Sequence, residues 1–393
     1  MAAPRVPWID RAVVAIGLAS LFSDVGHEMA TAAMPALLAS FGASSAVLGW
    51  IEGLSDAVSS FAKLVSGLYS DRLARRKPLA VVGYFLTAAG MASFAFATQS
   101  WHVLVGRVAG WLGRGARSPV RNVLLTEATT PETYGRAFGF ERSMDSAGAI
   151  VGPLVALLLV ATAGVRATFL LTVVPGLIAA LLIVFLVKEK PHAPRPKASL
   201  LGGFSRLPPR FRRFLLGVGL AGLGDFSNTL LILWATQAWT PRFGLERAAT
   251  LAVGFYVGYN VVYTLSCSVC GMLADRFDKR YVLAGGYALA VFPAAALLVP
   301  GDSFVKFAIV FGASGAYMGA WETVESSTAA SYLPAEVRGT GFGILATVNG
   351  LGDLLSSVLV GSLWAVSPTS AMLYVIVMSL GGAAVLALTP AEA

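Results

Sequence analysis

Three ionisable residues, Asp24, His27 and Glu28, stand at i, i+3 and i+4 inside an otherwise apolar stretch, a spacing that puts all three on one helix face. A carboxylate in a dry pocket can carry a proton, because burial disfavours the charged form while water or a nearby arginine restores it. Asp24 and Glu28 are therefore the first candidates for a proton carrier, and His27, which titrates near neutrality, is the second. The same side chains offer part of a divalent-cation shell, but ligands from one helix face do not complete one, so no resident metal is expected. Further stripes of this kind follow along the chain. Glu52 and Asp56 share one with Lys63, which snorkels from a helix end. Arg107, Arg114, Arg117 and Arg121 share another, and guanidinium groups suit carboxylate or phosphate. Glu141 and Asp145 lie on one face with Gly148 and Gly152; Glu141 and its neighbour Arg142 read as gate or interface residues near a helix end. Later come Asp225 and Asn228, then Asn260, Glu322 and Glu325, and finally Asn349 and Asp353.

The elements that position these groups follow from composition. The chain has 393 residues, of which 56% are hydrophobic and only 13% charged, against about a quarter charged in soluble domains. This is the composition of an integral membrane protein. Roughly 20 apolar residues cross a bilayer core, and the apolar periods fall at 12–39, 45–69, 78–98, 101–124, 137–162, 167–187, 214–238, 248–272, 281–300, 304–328, 340–364 and 370–389. The expected fold is all-α, with twelve transmembrane helices. The spans 78–98, 167–187, 281–300 and 370–389 contain no ionisable residue. Those four can face lipid, whereas charges in the others must turn inward, because an ionised group at hydrocarbon depth is costly unless paired or hydrated. Lys and Arg gather in the alternate loops at 72–77, 188–213 and 276–280, while the opposite loops hold only Arg166, Arg242, Arg247 and Lys306, which places both termini on the cytoplasmic side. The net charge of +8 thus sets topology and does not imply nucleic acid. Cys267 and Cys270 read as small apolar residues of one helix. No phosphate-binding loop, nucleophile or cofactor motif is present, so an enzyme is not expected and no cofactor is implied.

An internal repeat divides the chain. GLYSDRLARRK from Gly67 returns as GMLADRFDKR from Gly271, bringing Asp71 over Asp275 and Arg72 over Arg276. The same offset puts Asp145 over Asn349, and Arg121 near Glu325, opposite charges at matched places. Two pseudo-symmetric six-helix bundles are expected, at 1–190 and 213–393, joined by a basic, Pro-rich cytoplasmic linker at 191–212.

The repeated loop carries Gly67, Asp71, Arg72, Arg75, Arg76 and Lys77, and more weakly Gly271, Asp275, Arg276, Lys279 and Arg280; it resembles the signature of the major facilitator superfamily (MFS) of transporters. Arg107 with Pro119 and Glu127 is similar to that superfamily's fourth-span motif, except that Trp111 replaces a glycine. Gly148, Gly152 and Pro153 resemble the core of the antiporter motif of its prokaryotic drug/proton branch, without the glycine pair that follows it there. The resemblance implies the MFS fold in a cytoplasmic (inner) membrane, acting as a monomer on a small molecule and protons by alternating access. It points to efflux of an organic compound, with uptake of an organic anion or export of a divalent metal as alternatives. It also implies that Asp71 caps a neighbouring helix and holds a basic side chain, latching the cytoplasmic side.

Overall fold

The computed structural model describes residues 9–43, 45–189, 207–225 and 228–389, and all their regular structure is helical. The helices are α1 (Arg11–Ser40), α2 (Ser45–Ser70), α3 (Lys77–Ala92), α4 (Ser100–Glu127), α5 (Tyr134–Ala163), α6 (Val165–Leu171), α7 (Val173–Leu186), α8 (Pro209–Gly224), α9 (Asn228–Phe243), α10 (Leu245–Arg276), α11 (Lys279–Ala288), α12 (Val291–Leu298), α13 (Phe304–Tyr332), α14 (Arg338–Val366) and α15 (Pro368–Ala387). Among the described residues, nine helical segments are long and apolar enough to cross a membrane. α2 and α4 have the length, at 26 and 28 residues, but carry the charged stripes. The expected span 214–238 is not one helix. α8 ends at Gly224 and the backbone turns extended at Asp225, with φ −78° and ψ 145°.

The chain forms two compact units. The first comprises Met1–Arg206 with Leu333–Thr347, the second Leu207–Tyr332 with Val348–Ala393. The opening turns of α14 thus belong with the first unit and its remainder with the second.

In the first unit α1 packs along α5 and α7, while α4 lies against both α2 and α3. Lipid is as apolar as leucine, so helices in it associate through close packing of small residues. Gly148 and Gly152 supply this for α5: a Cβ on Gly148 would stand 2.6 Å from the Leu21 carbonyl oxygen, and one on Gly152 2.6 Å from Glu28 Cβ. The glycines bring the α5 backbone against α1 at the level of its ionisable residues. Pro153 follows inside α5, where only one backbone donor is lost. In the second unit α10 packs on α13 and α8 on α15. Its apolar core includes Trp239, Phe307 and Phe311, and Trp234 stacks on Trp364 at 3.7 Å.

The uncharged spans present Phe85, Phe96, Val174, Phe185, Phe292, Leu373 and Val377 outward, as a lipid-facing surface requires. They are not lipid-facing all round. Tyr84 and Tyr287, from two of those spans, are 1% and 0% exposed and turn their hydroxyls inward. Counting ionisable residues alone overlooks them.

Gly152→Leu is expected to push α5 from α1 and lower the apparent melting temperature in detergent by several degrees, in line with an overpacking cost of about 1–3 kcal/mol. An unchanged melting curve would contradict this packing.

Candidate functional site

The first unit gathers most of the predicted charges into one interior network. Arg107, 2% exposed, grips both oxygens of Glu52 at 2.8 and 2.9 Å and donates to Thr31 Oγ1 at 2.9 Å. Its guanidinium lies 3.6 Å over the Trp111 ring, which also meets the His27 ring at 4.3 Å. The Trp111 indole N–H donates to Asp56 at 2.6 Å. The residue that departs from the motif therefore ties α4 to α1 and α2. His27 Nε2 lies 3.3 Å from Glu28 Oε1, and Arg114 Nη2 lies 3.5 Å from Asp24 Oδ2. The other oxygen of Asp24 and Nδ1 of His27 are buried without a hydrogen-bond partner among the described residues. Arg121 Nη1 contacts Glu141 at 2.7 Å and Asp145 at 3.4 Å, and Ser20 Oγ bridges Glu141 and Arg121 at 2.7 and 2.9 Å.

Arg117, three residues beyond Arg114, turns toward α3: it is fully buried, its guanidinium 4.2 Å over the Tyr84 ring. Glu141, expected as a gate or interface residue, is 0% exposed and joins α5 to α4 and α1 through Arg121 and Ser20.

The second unit holds a different chemistry. Glu325, 3% exposed, accepts from the Tyr287 hydroxyl at 2.7 Å, from the Trp321 indole N–H, and from Asn349 Nδ2 at 2.6 Å. All three donors are neutral, and among the described residues no cation contacts it. Glu322 accepts from the Tyr263 hydroxyl. Asp225 lines a small recess with Tyr317 and Ser314, and Asp353 is exposed on α14. The Asn228 side chain lies outside the described residues. Arg121 and Glu325, expected at matched places, are each satisfied inside their own unit.

The residues of the repeated loop differ between the two copies in the same way. Asp71 receives the backbone N–H groups of Gly339 at 2.9 Å and Thr340 at 2.7 Å, in the first turn of α14. These amides have no partner within their own helix. Gly67 makes the approach possible, since a Cβ there would stand 2.9 Å from Gly343 Cα. Arg72 lies beside Asp71, half-buried. Arg76, 2% exposed, donates to the Ser70 carbonyl oxygen at 3.1 Å, pairs with Glu127, and lies 3.8 Å from Asp71. In the second copy Gly271 is buried, Asp275 half-buried and Arg276 exposed. There Asp278 caps α11 through the Arg280 N–H at 3.0 Å, and Arg280 side-chain hydrogen bonds hold its carboxyl below the usual range. That contribution is present above the ordinary carboxylate pKa and fades as pH falls through the lowered one.

Sequence reasoning missed Ser20, Tyr287 and Trp321. Ser20 stands four residues before Asp24 on the same helix face and was accessible to the spacing argument. The two aromatic donors carry no charge and gave no signal. Among the described residues no group of three His, Cys, Asp or Glu is placed to hold a metal ion, and neither cysteine is in a disulfide.

Comparison with known proteins fits this geometry. The sequence profile of the Major Facilitator Superfamily matches residues 16–357. The chain is 28% identical over 371 residues to the MFS-type transporter MJ1317 of Methanocaldococcus jannaschii, covering 93% of this chain and 92% of that one. Its fold is similar to the E. coli fucose:proton symporter FucP, with a TM-score of 0.77 at 16% identity, covering 97% of this chain and 98% of that one. It is also similar to the human organic anion transporter MFSD10, with a TM-score of 0.75 at 17% identity over 96% of this chain and 99% of that one.

Arg121→Gln removes the guanidinium whose Nη1 serves both Glu141 and Asp145, leaving them the longer Arg142 contacts at 3.6 and 3.8 Å, and is expected to cost about 3–5 kcal/mol of stability. Adding Glu141→Gln is expected to recover most of it in thermal unfolding. Equal melting of wild type and the single variant would refute the pairing.

Proposed function

Because the chain belongs to the Major Facilitator Superfamily, and is therefore a multi-pass membrane transporter and not an enzyme, we propose that it exports a small organic compound across the cytoplasmic membrane in exchange for protons. The observation that carries this is Glu325. A carboxyl buried at 3% exposure among three neutral donors meets no cation among the described residues, so binding and releasing a proton is the chemistry open to it. The α1 acids are placed differently: Asp24 faces Arg114 and Glu28 faces His27. In this reading they form the solute-binding part of the first unit, and the proton rides on Glu325. Twelve spans, cytoplasmic termini and a monomer complete the proposal, on the strength of the basic alternate loops and the repeated halves.

Asp71 is the latch. Its carboxylate on the first-turn amides of α14 uses the positive end of a helix dipole. We propose that the access change breaks these bonds. Gly148 and Gly152, buried against α1, set the helix spacing that the solute site needs.

A second reading, proton-coupled uptake of an organic anion, is favoured by the long 3.5 Å contact of Arg114 with Asp24. A carboxylate solute would compete for that guanidinium. Likeness to an organic anion transporter and to a proton symporter keeps this reading in view.

Proteoliposomes with the protein oriented as in the cell separate the two. With an inward proton gradient, a compound selected by thermal-shift screening is expected to leave the lumen. Glu325→Gln is expected to cut that flux by about tenfold or more, with solute binding retained. Accumulation of the compound in the lumen would contradict export and support anion uptake.

A further inference from the structure

We infer that Glu189, at the start of the connection between the halves, is a positioning residue for the Asp71 latch. The contact lies at the N-terminus of α3. Its amides lack partners within the helix, and Pro78 supplies none. A carboxylate from more than a hundred positions away closes it: Glu189 Oε1 accepts from the Arg76 N–H and Oε2 from the Lys77 N–H at 3.0 Å. Lys77 returns the contact, its Nζ donating to the carbonyl oxygens of Val184 and Val187 at 2.6 and 2.7 Å and so closing the C-terminal end of α7. The two helix ends cap each other reciprocally.

Arg76 carries the contact onward. Its backbone is held by Glu189, and its guanidinium reaches the Ser70 carbonyl oxygen, Glu127 and Asp71. Asp71 in turn holds the Gly339 and Thr340 amides. An unbroken series of polar contacts within the first unit therefore runs from the connection, through one buried arginine, to the opening turn of α14. Freeing the Arg76 backbone frays the base from which its side chain braces Asp71.

The repeat provides an internal control. Arg280 answers Arg76 in the second copy, and its guanidinium goes to Asp278 two residues away and to the Thr389 carbonyl oxygen. Lys77 is answered by Tyr281 and Glu127 by Ser331, neither of which offers the same charge. The second loop is capped from within, whereas the first is capped by the connection. This asymmetry makes the connection a point from which the latch can be loosened. The inference rests on the latch reading given above.

Hydrogen–deuterium exchange of the full chain in lipid nanodiscs tests both, by reading the amides at 338–344. Asp71→Asn is expected to speed their exchange about fivefold, and Glu189→Ala about threefold, as the opening equilibrium shifts. Glu189→Asp is expected to return the rate toward wild type, and the Glu189→Ala/Asp71→Asn double variant to exchange no faster than Asp71→Asn alone. Glu189→Gln, which keeps the side-chain shape, substitutes if the alanine variant does not purify. Faster exchange confined to residues 73–80 in the Glu189 variants, with 338–344 unchanged, would overturn the inference while leaving the latch standing. Unchanged exchange at 338–344 in Asp71→Asn would overturn both.

Discussion

Charge inside hydrocarbon must be answered by charge or hydrogen bonds from the same protein, and the structure depends on that constraint. Three interior arginines of α4 are paired with carboxylates, Arg107 with Glu52, Arg114 with Asp24, and Arg121 with Glu141 and Asp145, whereas Arg117 lies on the Tyr84 ring, with Nε and Nη1 lacking a hydrogen-bond partner among the described residues. Truncating one member of such a pair strands the other at several kcal/mol. The pairs thus fix which face of each helix looks inward and, through it, which face meets lipid. The second unit answers the same constraint with neutral donors around Glu325. One half is electrostatically braced and the other holds a carboxyl whose charge can be removed by a proton. That division of labour, not the number of acids, distinguishes the two halves.

Glycine serves this arrangement by distance. Gly148 and Gly152 place the α5 backbone beside Asp24 and Glu28, and Gly67 places α2 near enough to α14 for Asp71 to reach two amides. Side chains at these positions would add apolar area and lose the polar contacts that close approach makes available. In a solvent without a hydrophobic drive between helices, such contacts and dense packing are the main sources of cohesion.

Much of this was legible in the sequence, for a physical reason: the penalty for charge in lipid writes itself into composition. The apolar segments follow from it, while the repeat from Gly67 to Gly271 is read from self-similarity and the capping role of Asp71 from the resemblance of its loop to the superfamily signature. Of the stripe Asp24, His27 and Glu28, the first two meet α4 through Arg114 and Trp111. What stayed hidden was chemistry without charge. Tyr287 sits in a span free of ionisable residues, so its inward hydroxyl left no trace in the pattern. The turn of Arg117 onto the Tyr84 ring and the pairing of Glu141 with Arg121 depend on partners from other helices that spacing along one helix does not name. The extended backbone at Asp225 interrupts a segment whose hydropathy reads as continuous.

The central claim is that the interior acids, Glu325 above all, open to water during the transport cycle and never to acyl chains. Carbodiimide labelling of the protein in nanodiscs, with the modified carboxyls located by mass spectrometry, measures this directly. A water-soluble carbodiimide with an added amine is expected to modify Glu325, and a transported solute to protect it. Modification by a membrane-soluble carbodiimide alone would place Glu325 against lipid and contradict the account.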